Sequence, residues 1–312
     1  MPEVRQSLLG RYDVAQKAGG LLAPVLTAVL AFLVGGLVVF VTTGKNPLTT
    51  YRAIFDGAGF NWFFPWVTGD ERSLAALNMQ QTLIATTTLI LTGLAVAFAF
   101  RCGLFNIGGT GQYIAGAVLA VWIGSSFEGM NPLLHILFAT IAGALCGALW
   151  AGIAGFLKAT VGAHEVISTI MLNWIAIWIG VFLFGLGGPL QNSTQEFVPI
   201  SNDVVEGAKL PVFWGDPLLQ GLHVGFFIAI GALVVYWLIL SRTTLGYGVR
   251  AVGFNPEAAR YGGISVSRNY FLAMAIAGAF AGLAGAVDIL GWQFRLATGD
   301  VQGVQVAFIG IA

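Results

Sequence analysis

The feature that most limits what this chain can fold into is the spacing of its charges. Seven stretches contain no Asp, Glu, Lys or Arg: residues 18–44, 73–100, 102–127, 129–157, 166–195, 217–241 and 269–287. A hydrocarbon core about 30 Å thick is crossed by roughly 20 apolar residues in helical form. Six of the stretches exceed that length and the last falls just short of it. A charge at the bilayer centre costs about 2.5–3.5 kcal/mol on insertion scales, so the charges collect between the stretches. Backbone polar groups in lipid must be satisfied within their own segment, which makes each stretch a helix. The reading is an all-α, polytopic transmembrane helix bundle with at least seven spanning helices. Residues 301–312 are mostly apolar and end without a polar flank, so an eighth helix, cut at the C-terminus, is expected there.

Composition excludes the main soluble classes. The chain has 312 residues, 57% of them hydrophobic, and only 9% charged where a soluble domain carries roughly 25%. Fourteen Lys plus Arg balance fourteen Asp plus Glu, so no basic field exists to hold a nucleic acid. Cys102 and Cys146 lie far apart in apolar runs, and His135, His164 and His223 form no pair at metal-ligand spacing. Neither a disulfide framework nor a metal site is expected. The first apolar stretch is longer than a signal-peptide core of about 7–15 residues, which makes it a retained helix. The longest gaps between stretches leave no room for a soluble domain, so residues 1–312 read as a single transmembrane domain.

Basic residues set the orientation. An inside N-terminus places Arg5, Arg11, Lys17, Arg101, Lys158, Arg242, Arg250, Arg260 and Arg268 in the cytoplasm, with Lys45, Arg52, Arg72, Lys209 and Arg295 outside. The bias is sharpest between the loop 241–269, with four arginines and one acid, and the loop 191–220, with Lys209 against Glu196, Asp203, Glu206 and Asp216. Small residues recur every four positions at Gly143, Gly147, Ala151 and Gly155, at Gly278, Gly282 and Ala286, and at Gly116, Ala120 and Gly124. Such stripes let helix backbones approach closely; packing within the chain is favoured over a dimer face.

Several polar features stand out from this apolar ground. The run Asn106-Ile107-Gly108-Gly109-Thr110-Gly111-Gln112 disfavours a continuous helix, since each glycine costs about 1 kcal/mol relative to alanine. It reads either as a broken helix whose Asn106, Gly108, Gly109 and Gln112 face a translocation path, or as a tight cytoplasmic turn. Asn173 lies about 12 Å into the helix that starts near His164 and Glu165, as a pore-lining amide or an interhelical hydrogen bond. Glu165 is expected as a solvated helix start, with proton coupling through His164 as the alternative. Asp288, at the end of the last stretch, is read as an interfacial carboxylate rather than an ion site.

The loop 241–269 contains a capped short helix. Asn255 fits the N-cap, Pro256 the first helical position, Glu257 the positive end of the dipole and Gly262 the terminus, with Ala258, Ala259 and Arg260 between. It suits either docking into a groove of another protein or plain connection. No phosphate-cradling loop occurs: the one Gly-Lys pair, Gly44-Lys45, is followed by Asn46 and lacks the upstream glycine. Any ATP must be hydrolysed by a partner.

Three segments, Gly103-Leu104-Phe105-Asn106-Ile107-Gly108-Gly109, Glu165-Val166-Ile167-Ser168-Thr169-Ile170-Met171-Leu172-Asn173 and Arg250-Ala251-Val252-Gly253 running on through Asn255-Pro256-Glu257-Ala258-Ala259-Arg260-Tyr261, resemble the permease subunits of bacterial ABC importers for branched-chain amino acids, ribose-like sugars and nucleosides. The resemblance covers nearly the whole chain and is nearest to the nucleoside and simple-sugar branch. It implies that residues 255–263 form a coupling helix contacting an ATP-binding cassette subunit. It further implies a second permease subunit, an extracellular substrate-binding lipoprotein, a place in the bacterial inner membrane, and ATP and magnesium bound only by the partner. Thr110 departs from many relatives, which carry an acid there, and relatives continue past residue 312. A branched-chain amino acid permease, or a stand-alone proton- or sodium-coupled carrier, remains as the alternative.

Overall fold

A computed structural model describes residues 2–304 and 309–310, with side chains from residue 22 onward. Its helices are α1 (Pro2–Thr43), α2 (Pro47–Gly57), α3 (Gly69–Arg101), α4 (Gly109–Ser126), α5 (Pro132–Val161), α6 (Glu165–Phe184), α7 (Gly225–Arg242), α8 (Thr244–Phe254), α9 (Pro256–Tyr261), α10 (Val266–Asp288) and α11 (Thr298–Gly303). One small antiparallel pair, β1 (Val212–Trp214) and β2 (Leu222–His223), interrupts the segment before α7. Among the described residues six helical segments are long and apolar enough to span a membrane: Leu22–Thr43, Gly69–Arg101, Pro132–Val161, Glu165–Phe184, Gly225–Arg242 and Val266–Gln293. The remaining expected stretch becomes α4, whose 18 residues reach about 27 Å. It begins at Gly109 rather than 102, and its first turn is small and polar. Helices rather than lipid surround it, since most of its side chains are buried. Half of the expected eighth helix, residues 305–308 and 311–312, lies outside the described residues, and α11 takes in residues 301–303.

The chain divides into two compact units, residues 1–79 and 80–312. In the first, Asn46 Oδ1 accepts from Leu48 N at 2.9 Å and starts α2, and Tyr51 and Pro47 of α2 lie over Gly35 and Gly36 of α1. The apolar side chains of α1 from Leu22 to Val41 are mostly exposed all round the helix, as expected of a lipid-facing segment.

In the second unit the glycine stripes meet one another. A Cβ on Gly147 of α5 would lie 2.4 Å from the Gly278 carbonyl of α10, one on Gly282 would lie 2.5 Å from the Gly143 carbonyl, and one on Gly116 of α4 would lie 2.2 Å from the Gly282 carbonyl. The three stripes are thus one three-helix seam, which is the intramolecular packing expected from their spacing.

Around this seam the helix ends gather into two faces. Arg101 ends α3, Lys158 and Arg242 fall in the last turns of α5 and α7, and Arg268 lies in the first turn of α10. Ser267 Oγ donates to the Ala159 carbonyl at 3.2 Å across that basic face. At the opposite face the acidic loop folds over the other helix ends: Val205 N donates to the Gly124 carbonyl at 2.9 Å, Leu210 N to Leu290 at 2.7 Å and Val204 N to Phe294 at 2.8 Å. His223 anchors this cover. Its Nδ1 accepts from Gly225 N at 3.1 Å while its ring lies against Gly291, and burial pushes its pKa down to about 4, leaving a neutral imidazole.

The seam makes a direct stability prediction. Overpacking a filled site costs about 1–3 kcal/mol, and at Gly282 the obstruction is backbone that cannot rotate away. Gly282→Ala is expected to lower the thermal midpoint of the detergent-solubilised protein by several degrees, whereas Gly231→Ala, where a Cβ meets nothing, is expected to leave it unchanged.

Candidate functional site

The glycine-rich run does break the helical chain. Gly103 adopts φ +73°, a left-handed conformation that costs glycine little, so α3 stops there and the backbone runs non-helical to Gly108. The break is held by amides. Asn106 and Gln112 are fully buried and bond each other reciprocally, Asn106 Nδ2 to Gln112 Oε1 at 3.0 Å and Gln112 Nε2 to Asn106 Oδ1 at 2.8 Å. Asn106 Oδ1 also accepts from Gly108 N at 3.0 Å.

Asn173 closes the arrangement from α6. Its Oδ1 accepts from Gly111 N at 2.8 Å and its Nδ2 donates to the Ile107 carbonyl at 2.9 Å. One side chain therefore satisfies both a free amide at the start of α4 and a carbonyl of the break. Four of the residues singled out in sequence, Asn106, Gly108, Gln112 and Asn173, thus form one cluster, with Gly109 opening α4 beside them. The glycines are needed for approach: a Cβ on Gly108 would meet Thr169 and Gln112 at 2.9 Å, and one on Gly111 would meet Asn173 and Trp150 at 3.0 Å.

The residues of the loop 241–269 stand apart from this cluster and form an arm. Asn255 Oδ1 accepts from Glu257 N and Ala258 N, both at 3.0 Å, and Pro256 occupies the first turn. The capped helix expected from the sequence is therefore present as α9, with Glu257, Ala258 and Arg260 exposed and Ala259 buried beneath. Sequence reasoning missed α8, which precedes it. Its start was marked by Thr243, whose Oγ1 accepts from Gly246 N at 3.0 Å.

The end of α8 joins the arm to the break. A Cβ on Gly253 would lie 2.3 Å from the Arg101 carbonyl, and Gly103 packs against Gly253 in turn. Cys102 Sγ donates to the Asn269 carbonyl at 3.7 Å, and burial pushes its thiol pKa up to about 12, so the proton needed for that contact stays in place. The arm and the broken helix thus share a backbone contact two residues before the α9 cap.

Two expectations from sequence are corrected here. Glu165 is not a solvated helix start: it is partly buried and paired with Lys158 Nζ at 2.8 Å, because the left-handed turn at Gly162 brings the end of α5 beside the start of α6. His164 stays exposed. Asp288 does not reach an interface. It is 2% exposed and bonded by Thr88 Oγ1 at 2.6 Å and the Tyr113 hydroxyl at 2.7 Å, because the helix continues as a π turn over Ile289–Gln293 and the acidic loop covers its end.

Fold and site together define a multi-pass membrane protein whose polar machinery is a broken helix, an amide clasp and a surface arm. The chain belongs to the family described as branched-chain amino acid transport system / permease component, which matches residues 78–312. It is 36% identical over 306 residues to the guanosine ABC transporter permease protein NupP of Bacillus subtilis (strain 168), covering 96% of this chain and 80% of that protein. It is 35% identical to the nucleoside ABC transporter permease protein NupB of Lactococcus lactis subsp. cremoris (strain MG1363), over 95% of this chain and 78% of the relative. With the glucose ABC transporter permease protein TsgB13 of Haloferax volcanii it shares 33% identity, over 93% and 73% respectively. No solved structure matches this chain. Members of the family are transport permease subunits rather than enzymes.

The clasp predicts a specific cost. Asn173→Leu leaves the Gly111 amide and the Ile107 carbonyl buried and unpaired, and each such group costs about 1–3 kcal/mol. The variant is expected to show a thermal midpoint well below wild type and faster hydrogen exchange at Gly111. Exchange at wild-type rates would mean the amide finds another partner.

Proposed function

We propose that this chain is a permease subunit of an ATP-driven importer that takes up nucleosides or simple sugars by alternating access. The observation that carries the reading is the 36% identity with a guanosine permease along 96% of the chain. In this reading the subunit lies in the bacterial inner membrane with its N-terminus in the cytoplasm. It pairs with a second permease subunit, an ATP-binding cassette subunit that binds ATP and magnesium, and an extracellular substrate-binding lipoprotein facing the acidic loop. It carries no fuel site of its own.

The arm from Asn255 to Arg260 would be the coupling helix. Support comes from its surroundings: Phe254 and Tyr261 flank it and are 91% and 94% exposed, and exposed aromatics beside charged residues are the usual anchors of a protein interface. Movement of the arm would reach α3 and α4 through the Gly253 contact with Arg101, and through the break would shift α4 against α6. Asn106, Gly108, Gly109, Gln112 and Asn173 would then act where the path is shaped, by holding the break together rather than by touching solute throughout the cycle.

A carrier driven by protons or sodium is less well supported. Glu165 is already paired with Lys158 and His164 stands exposed at a helix start, which leaves Asp288, buried between Thr88 and Tyr113, as the group such a carrier would have to use.

Charge reversal tests the coupling role. Glu257→Lys and Arg260→Glu are each expected to cut ATP-dependent uptake at least tenfold while membrane insertion is retained. Wild-type uptake by both variants would overturn the assignment.

A further inference from the structure

The polar group around Asp288 belongs neither to the break nor to the arm. Asp288 lies in a spanning helix, and no Lys, Arg or His among the described residues forms an ion pair with it. A carboxylate at such a position is expensive and is retained where it does something. Thr88 Oγ1 donates to its Oδ1 and the Tyr113 hydroxyl to its Oδ2, and the buried indole N–H of Trp292, which has no hydrogen-bond partner of its own, faces the same carboxylate. Gln293 Nε2 supports the tyrosine from behind at 3.5 Å. An ionised carboxyl has about four acceptor positions, so two hydroxyls leave capacity on both oxygens.

The backbone beside it is irregular in a way that helix packing does not require. Directly after Asp288 the helix widens into the π turn Ile289–Gln293, a feature that recurs at functional sites. Phe294 then takes φ +56°, a left-handed conformation that a non-glycine residue holds only when its surroundings impose it. The widened turn carries Trp292, which together with Asp288, Thr88, Gln81, Ile84 and Leu89 lines a cavity of about 280 Å³. That is just under the ~300 Å³ at which small-molecule sites begin, a size for a single sugar ring. One carboxylate, one hydroxyl, one amide and one indole over aliphatic walls is also the composition expected of a small-molecule site, mostly apolar with few polar groups.

Resting on the nucleoside or sugar reading above, we propose that Asp288 and Trp292 form a recognition site for a vicinal diol within the bundle. The two carboxylate oxygens accept from adjacent hydroxyls of a ribose or hexose ring. The flat indole packs on the apolar face of that ring, an arrangement suited to a large rigid aromatic. Such a site accepts the feature that nucleosides and simple sugars share and ignores the base. Solutes without paired hydroxyls would leave the spare acceptor positions of the carboxylate unfilled, so the same group discriminates against them.

The test uses the complete transporter in proteoliposomes, with ATP inside the reaction and binding protein saturated by each solute in turn: tritiated guanosine, 2′,3′-dideoxyguanosine and glucose. Wild type is expected to carry guanosine at least tenfold faster than its dideoxy analogue. Asp288→Asn is expected to lose most guanosine uptake while moving the analogue at the wild-type rate, which removes the discrimination. Trp292→Phe is expected to retain transport and Trp292→Ala to weaken it. If Asp288→Asn carries guanosine as wild type does, or loses both nucleosides equally with a lowered thermal midpoint, the carboxylate is a structural tether and the proposal fails alone. If wild type carries neither guanosine nor glucose, the substrate class itself is wrong and the proposal falls with it. Glucose uptake without guanosine uptake, abolished by Asp288→Asn, assigns the diol to a sugar.

Discussion

Glycine on glycine is the contact from which the second unit is built. Helix association in lipid gains little from burying apolar surface, because the solvent is itself apolar, and it depends on close van der Waals approach. Gly143 and Gly147 on α5, Gly278 and Gly282 on α10 and Gly116 on α4 supply that approach, with backbone atoms of one helix standing where side chains of another would be. Because α4 is clamped from two sides, its first turn can carry polar groups that lipid would not tolerate. The clasp of Asn106, Gln112 and Asn173, and the bond from Tyr113 to Asp288, both depend on α4 lying inside the bundle.

The broken helix turns this rigid seam into something that can be moved. The closing turn of α3 ends with Cys102 N, Gly103 N and Leu104 N bonded back to Ala99 and Phe100; beyond it the chain from Phe105 to Gly108 donates no helical hydrogen bond, and side-chain amides satisfy Gly108 N, Gly111 N and the Ile107 carbonyl. A handful of exchangeable bonds is easier to rearrange than a turn of helix, and the segment lies against Gly253, next to the exposed arm. The firm part of the fold and its adjustable part are therefore neighbours in α4. This suits the alternating access proposed above, in which the subunit opens without losing its core.

Much of this was legible in the sequence because it rests on local physics. The charge-free runs located the helices, the spacing of four marked the seam, and Asn255-Pro256 marked the start of α9 through capping chemistry that needs no distant partner. What was not legible depended on contacts between remote segments. Asp288 looks like a helix end in sequence because it closes the last charge-free stretch, about 28 Å along the helix from Asn269, and only the π turn and the covering loop bury it. Glu165 and Lys158 lie seven positions apart, and nothing local says that the turn at Gly162 brings them together. The fold of the acidic loop onto Gly124, Leu290 and Phe294 uses backbone groups, which no residue type advertises.

Work as one subunit of the proposed ATP-driven importer requires this chain to travel with its partners. The most direct measurement is affinity purification of the protein from its native membrane in mild detergent, with mass spectrometry of what accompanies it and an uptake assay on the reconstituted sample. A P-loop ATPase and a substrate-binding lipoprotein are expected to be recovered with it, and uptake is expected to stop when ATP is withheld. A solitary protein that still transports without ATP would contradict it.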